Sequence, residues 1–198
     1  MRKFVGLFLV ILGIVVATTV FSGSSRASYS KYRDLGAKYD VRILRDTWGV
    51  PHIYGKTDAD VAFGLAYAHA EDDMPTTLEA LLAARGQVAS VQGTAGAPID
   101  FMVNLLRVWE DIDAKYETDL SPATRAVCDA YANGLNYYAA MHEDEVPAKL
   151  LPFTGKDVVA GFVFKGPFFF GLDNAVQELF GKERRRKVSE KNPAQASA

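Results

Sequence analysis

Three histidines, one cysteine and clustered acids are the residues from which chemistry would have to be assembled in this 198-residue chain. His52, His69 and His142 lie 17 and 73 residues apart. A hydrolytic zinc site wants two histidines one helical turn apart with a glutamate between them, and no such string or paired cysteine occurs. His69 precedes Glu71, Asp72 and Asp73 and reads as a partly buried helical histidine near a solvated acidic end. His52 follows Pro51 at a strand start, where a structural hydrogen bond suits it. Asp72-Asp73 reads as a helix cap favoured by the macrodipole. There is no G-x-S-x-G elbow and no glycine-rich phosphate loop. Cys128 sits in an apolar helical pattern and reads as a core side chain, with no second cysteine to bridge. The residues alone assemble no nucleophile with a base and oxyanion donors.

The elements that would position these groups are legible. Tyr39, Val41 and Ile43 alternate as one face of a strand, Thr47 to Pro51 read as a turn, and His52-Ile53-Tyr54 as a short return strand. Thr57 with Asp60 predicts a capping box opening a helix that is apolar on several sides. Gly64 in its middle predicts a close backbone approach. Pro75 opens the next helix, which stops at Gly86 or, by preference, Gly93. Pro98 to Tyr116 predicts a third helix with Phe101, Leu105, Val108 and Ile112 on one stripe. Ser121-Pro122 opens a fourth, lined by Val127, Tyr131, Leu135 and Tyr138. Thr154 and Asp157 cap a fifth and very apolar one, which Gly166-Pro167 must kink or break. The fold class is α+β and mainly helical: a short N-terminal strand pair, then four to five helices. So apolar a set of helices asks for more protein against it.

Composition bounds the rest. Half the residues are hydrophobic (49%), which suits a packed core and excludes disorder and a disulfide scaffold. Residues 28–181 carry 13 bases against 22 acids, so this body repels phosphate and nucleic acid is not expected as a partner. Arg2 and Lys3 precede an uncharged run over residues 4–21, and Ser22 to Ala27 supplies a small-residue exit. Residues 1–27 therefore read as an export signal, either a cleaved signal peptide or an uncleaved anchor, with membrane contact only through 4–21. The expected location is the periplasm or the outer face of the cytoplasmic membrane. Residues 28–181 form the domain. Residues 182–198, basic and then low in complexity, read as the start of a spacer or linker.

Four strings carry a resemblance. Val41-Arg42-Ile43-Leu44-Arg45-Asp46-Thr47-Trp48-Gly49-Val50-Pro51-His52-Ile53-Tyr54 resembles the opening of penicillin acylase family precursors. Asp60 to Asp73 is similar to that family's first helix and Ala84-Arg85-Gly86 to its next. Tyr131-Ala132-Asn133-Gly134-Leu135-Asn136 is similar to its A-Y-A-x-G-x-N helix. The likeness covers residues 39 to 180 and leans towards the acyl-homoserine lactone and aculeacin acylases.

The resemblance implies the α-subunit portion of an αββα N-terminal nucleophile hydrolase acting on a linear amide, an acyl-homoserine lactone or a β-lactam side chain. It implies a partner β subunit whose freed N-terminal Ser attacks the amide, with that residue's α-amine as base. No Gly-Ser-Asn junction occurs before Ala198, so no catalytic residue is expected in this chain, which should be inert alone as a fragment, a processed subunit or a truncated frame. It also places Phe168, Phe169 and Phe170 beside an acyl pocket, or else in the packing of the subunit interface. No cofactor is required. A structural calcium at the subunit boundary, held through Glu178 or Asp173, competes with the simpler reading of those residues as solvated acids. A different class remains beside these: a membrane-anchored helical binding or assembly protein derived from the family without catalysis.

Overall fold

The computed structural model describes residues 29–172 and 174. The leader at 1–27, the tail at 182–198, and Asp173 and Glu178 lie outside the described residues. Strand β1 (Val41–Arg45) pairs antiparallel with β2 (Pro51–Gly55), Ile43 opposite Ile53. Val41, Ile43 and Ile53 turn one face inward, as period-two alternation requires. A two-stranded ribbon is marginal alone, and this one lies on helix α1 (Asp58–Arg85). A Cβ on Gly64 would stand 2.5 Å from Val41 Cγ2 and 2.8 Å from Ile53 Cγ2. The close approach expected at Gly64 is thus made by strand side chains rather than by another backbone.

The Thr57–Asp60 capping box forms: Thr57 Oγ1 accepts from the Asp60 amide at 3.2 Å and Asp60 Oδ2 from the Thr57 amide at 3.0 Å. Asp60 Oδ1 also accepts the Asp40 amide at 2.9 Å, tying the cap to the strand lead-in. The Thr57 hydroxyl first, then the Asp40 amide, hold the Asp60 carboxyl below the ordinary carboxylate range. A lowered folded value means stability that is complete above the unfolded value, about 3.9, and is lost as pH falls through the folded one. Asp60→Asn should therefore melt below the parent at neutral pH, and the gap should close on acidification. An equal gap at neutral pH and at roughly pH 2.5 would show that the carboxylate's charge is irrelevant to the cap.

Helix α1 kinks at Asp73 (φ −159°, ψ 74°), whose Oδ1 accepts the Thr76 amide at 3.1 Å, so Asp73 caps a second segment with Pro75 in its first turn. That segment stops at Gly86, not at Gly93. Gly86 is left-handed (φ 63°, ψ 41°), and the amides of Gly86 and Gln87 return to the carbonyls of Ala83 and Leu82. A four-residue turn, α2 (Ala89–Gln92), intervenes before Gly93.

The helix expected over Pro98 to Tyr116 is two: α3 (Ala97–Leu105) and α4 (Val108–Asp119). Arg107 in the left-handed region (φ 53°, ψ 40°) separates them, so the foreseen stripe is cut in half. Val108 and Ile112 are buried, whereas Phe101 and Leu105 are exposed and Val103 is the buried residue of α3. Leu65 of α1 is likewise exposed, leaving that helix less buried than its sequence suggests.

Helix α5 (Pro122–Met141) starts at Ser121, whose Oγ accepts the Thr124 amide at 3.1 Å. It crosses α1 in the principal helix pair. Ala66, Ala70 and Met74 meet Ala132, Leu135 and Tyr138 there, closed over by Val146, Leu150 and Phe153. Helix α6 (Gly155–Phe169) opens on the second capping box, Thr154 with Asp157. It packs on α1, α4 and α5, where Ala160 and Phe164 join Ala84, Val108, Ile112 and Tyr116. It does not break at Gly166-Pro167. Pro167 falls in the last turn, and the stop comes at Phe170-Gly171, whose amides bond to Pro167 and Phe168 carbonyls with Gly171 at φ 82°. Cys128 is buried, and burial raises its thiol pKa, as suits a core side chain.

Candidate functional site

Two surfaces and one buried node gather the residues singled out by the sequence. The first surface is the hairpin tip. Asp46 Oδ1 accepts the amides of Trp48 (2.8 Å) and Val50 (2.9 Å), and these bonds hold its carboxyl below the ordinary range. Gly49 at φ 83° completes the turn. Arg45 donates to the Gly49 carbonyl at 2.8 Å and pairs with Glu71 (3.0 Å) and Asp72 (2.8 Å) at the end of the first α1 segment. The turn is thereby tied to the helix from below, while the Trp48 indole stands 89% exposed. An open depression beside it is lined by Arg45, Trp48, Pro51, Glu71, Tyr138 and His142.

The histidines do not converge. His52 Nε2 lies 3.5 Å from Asp46 Oδ2, a surface contact that fits the structural bond expected of it. His69 is exposed rather than partly buried, with Nδ1 2.9 Å from Tyr131 Oη. His142 stacks on Tyr138 with ring centroids 4.0 Å apart, and the Tyr138 hydroxyl donates to Glu145 at 2.7 Å. Burial, then that carboxylate, drives the Tyr138 pKa upward, so this phenol stays protonated and serves as a donor. Among the described residues no group of three or more His, Cys, Asp or Glu is placed to hold a metal ion.

The second surface is the outer face and C-terminal end of α6. Ala160 and Phe164, four apart, are buried, and Phe168 one turn on lies against Phe164 with centroids 5.4 Å apart while staying 36% exposed. Phe162 and Phe169, seven apart, and Phe170 turn outward, with 76%, 88% and 92% of their surface exposed. A Cβ added at Gly161 or Gly166 on this helix would meet nothing within 4 Å. The three consecutive phenylalanines therefore divide, Phe168 resting on Phe164 and the other two pointing outward, and Phe162 extends the outer apolar face.

The buried node explains several motif residues. Arg85 Nε and Nη2 grip Asp157 Oδ1 and Oδ2 at 2.6 and 2.9 Å, and its remaining donors reach the Leu150 and Pro152 carbonyls at 2.7 Å each. Asn136 makes a closed pair with Phe153, donating to its carbonyl at 2.7 Å and accepting its amide at 2.8 Å. Asn133 donates to Tyr39 Oη at 2.8 Å. Tyr116 approaches Asp129, and burial first, with that carboxylate second, pushes its hydroxyl up to about 12. These groups hold elements together. Sequence reading passed over Trp48 as a turn residue. The available signal was an aromatic between Asp46 and Gly49, where the turn leaves it no core position.

A family model described as penicillin amidase matches residues 40–188. The acyl-homoserine lactone acylase QuiP of Pseudomonas putida is 29% identical over 115 residues, which are 58% of this chain and 14% of that protein. The penicillin acylase 2 proenzyme of a Pseudomonas species is 30% identical over 105 residues, 53% of this chain and 13% of its own length. Penicillin G acylase of Escherichia coli is 29% identical over 116 residues, 57% and 13% respectively. The chain thus spans about one-seventh of the length of these curated relatives. A solved structure of a thermostable penicillin G acylase from Alcaligenes faecalis superposes with a TM-score of 0.57 at 22% identity, over 77% of this chain and 90% of that chain. At that identity the likeness is one of fold, and it extends over nearly the whole of a solved chain about as short as this one.

Proposed function

We propose, from the premise that this chain belongs to the penicillin amidase family, that it is the α-subunit part of an exported acylase hydrolysing a linear amide. The observation that carries the reading is the apolar face of α6 that the described residues leave uncovered, with Phe162, Phe169 and Phe170 three-quarters or more exposed. Soluble monomers rarely leave such a contiguous patch open, and a subunit meeting a larger partner does so by construction. The relatives support it in two ways: this chain spans about one-seventh of their length, and one of them is named a proenzyme.

The chemistry belongs to the partner, a β subunit beginning with Ser. Its Oγ attacks the amide carbonyl while its α-amine takes the hydroxyl proton and passes it to the leaving amine. Water then cleaves the acyl-enzyme. This chain supplies the wall against which the acyl tail lies, and Phe169 and Phe170 are the side chains free to form it. The substrate is an acyl-homoserine lactone or a β-lactam with an acyl side chain. Export through residues 1–27 and autocatalytic processing complete the reading.

The test is the set of intact masses and N-terminal sequences that co-purify with this polypeptide from its host. A larger partner beginning with Ser supports the reading, and a lone chain without one overturns it in favour of a binding protein. In the assembled enzyme, Phe169→Ala or Phe170→Ala should lower kcat/KM for long acyl chains roughly tenfold relative to short ones, because buried apolar contact of about 1–3 kcal/mol is removed. Phe168→Ala should instead lower the melting temperature, since that ring packs on Phe164. Unchanged chain-length preference in the Phe169 and Phe170 variants would assign those rings to the subunit interface alone.

A further inference from the structure

The hairpin tip presents a second apolar surface, and its construction differs from that of α6. Five polar contacts fix the backbone from Arg45 to Val50: two amides on Asp46 Oδ1, the Gly49 carbonyl on Arg45, and the Arg45 pairs with Glu71 and Asp72. At the apex of this rigid turn stands Trp48, 89% exposed, and the exposed Leu44, Val50 and Tyr54 lie along the ribbon with Arg42 opposite Tyr54 and His52 opposite Leu44. A freely mobile loop would lose conformational entropy on binding, whereas this turn is already ordered before any partner arrives. Preorganised, exposed tryptophan is the side chain most typical of an interface anchor. The rest of the family protein accounts for some six-sevenths of the relatives' length, so the natural occupant is that larger portion.

We infer that the β1–β2 hairpin is a preformed plug for the β subunit, with Trp48 seated in an apolar recess of that partner. The inference rests on the two-subunit reading above and adds to it a contact separate from the α6 face. Arg45 and Asp46 act as positioning residues for the indole, and Leu44, Val50 and Tyr54 flank the recess.

Hydroxyl-radical footprinting of the assembled protein from its host, read residue by residue by mass spectrometry, tests it. Trp109, whose indole nitrogen donates to the Ala84 carbonyl at 3.0 Å, is the internal standard for a side chain held within this chain. Relative to the urea-unfolded protein, Trp48 should be oxidised at least tenfold more slowly in the native assembly. Trp48→Ala should lower the urea concentration at which the subunits separate, and Trp48→Phe should restore most of it. Oxidation of Trp48 at the unfolded rate in a complex whose partner is present would overturn the plug and leave the two-subunit reading intact. Absence of any partner, with Trp48 fully reactive, would overturn both.

Discussion

Arg85→Ala is expected to destabilise the protein by about 3–5 kcal/mol, the usual consequence of leaving one member of a buried ion pair without its partner. Asp157 is 2% exposed, and its two carboxylate oxygens receive Arg85 at 2.6 and 2.9 Å and the Thr154 amide at 2.7 Å. The guanidinium also satisfies the Leu150 and Pro152 carbonyls, so one side chain joins the end of α1, the loop before α6 and the α6 cap. Removing it strands a carboxylate and two carbonyls together. Arg85→Lys should recover only part of the loss, because a single ammonium cannot reproduce the planar fork. The double substitution Arg85→Ala with Asp157→Ala should be less damaging than the sum of the singles, since no charge is then left buried. Urea titration of the assembled protein followed by circular dichroism checks all of these. An Arg85→Ala variant within about 1 kcal/mol of the parent would show that water enters the node and the pair is dispensable.

The second large effect is expected at the crossing of α1 and α5. A Cβ on Gly134 would collide with the Phe63 carbonyl oxygen and stand 2.8 Å from Ala66 Cβ. Helix propensity alone predicts that Gly134→Ala stabilises by about 1 kcal/mol. Packing predicts the opposite sign, a loss of about 1–3 kcal/mol, because the obstacle is backbone and cannot rotate aside. Gly134→Val should push the helices apart further and cost more than the alanine variant. Thermal unfolding decides by sign: a melting temperature raised by alanine would mean that the two helices slide at little cost. Gly134 lies in the core that carries Ala66, Ala132 and Leu135, so a shift there would spread to the Asn136–Phe153 pair two residues on.

Both predictions concern residues that made the family recognisable, and this says what kind of signal those strings are. Arg85-Gly86, Tyr131 to Asn136 and the Arg45 to His52 turn are an ion-pair anchor, a left-handed cap, a helix-crossing glycine, two amide clamps and a stapled hairpin. They are architecture. The cap and the turn are local requirements, since only glycine takes the left-handed cap cheaply and an Asx side chain closes that turn; the ion pair, the crossing glycine and the clamps are tertiary, yet each also demands one residue type. Such constraints leave fixed residue types at fixed spacing, and so do the two capping boxes at Thr57 and Thr154.

Other expectations failed where a local rule met a tertiary one. The stripe of Phe101, Leu105, Val108 and Ile112 obeys helical spacing, yet Arg107 turns the chain and strands its first half on the surface. Gly166-Pro167 has the form of a helix break, but proline in a final turn forfeits a single bond, and α6 runs on to Phe169. His69, expected to be partly buried, is exposed, with its Nδ1 beside Tyr131 Oη 62 residues away.

The residue order already carried the kind of fold, the helix-opening caps at Thr57, Ser121 and Thr154, the hairpin turn, and the family, because those depend on side-chain and backbone roles that few residue types can fill. It did not carry which apolar residues end up bare. Phe162, Phe169, Phe170 and Trp48 are as hydrophobic as any core residue, and only the packing of α6 and the tying of the hairpin to α1 turn them outward. Burial is a property of what lies opposite a side chain, and for these four the described chain places nothing there to cover them.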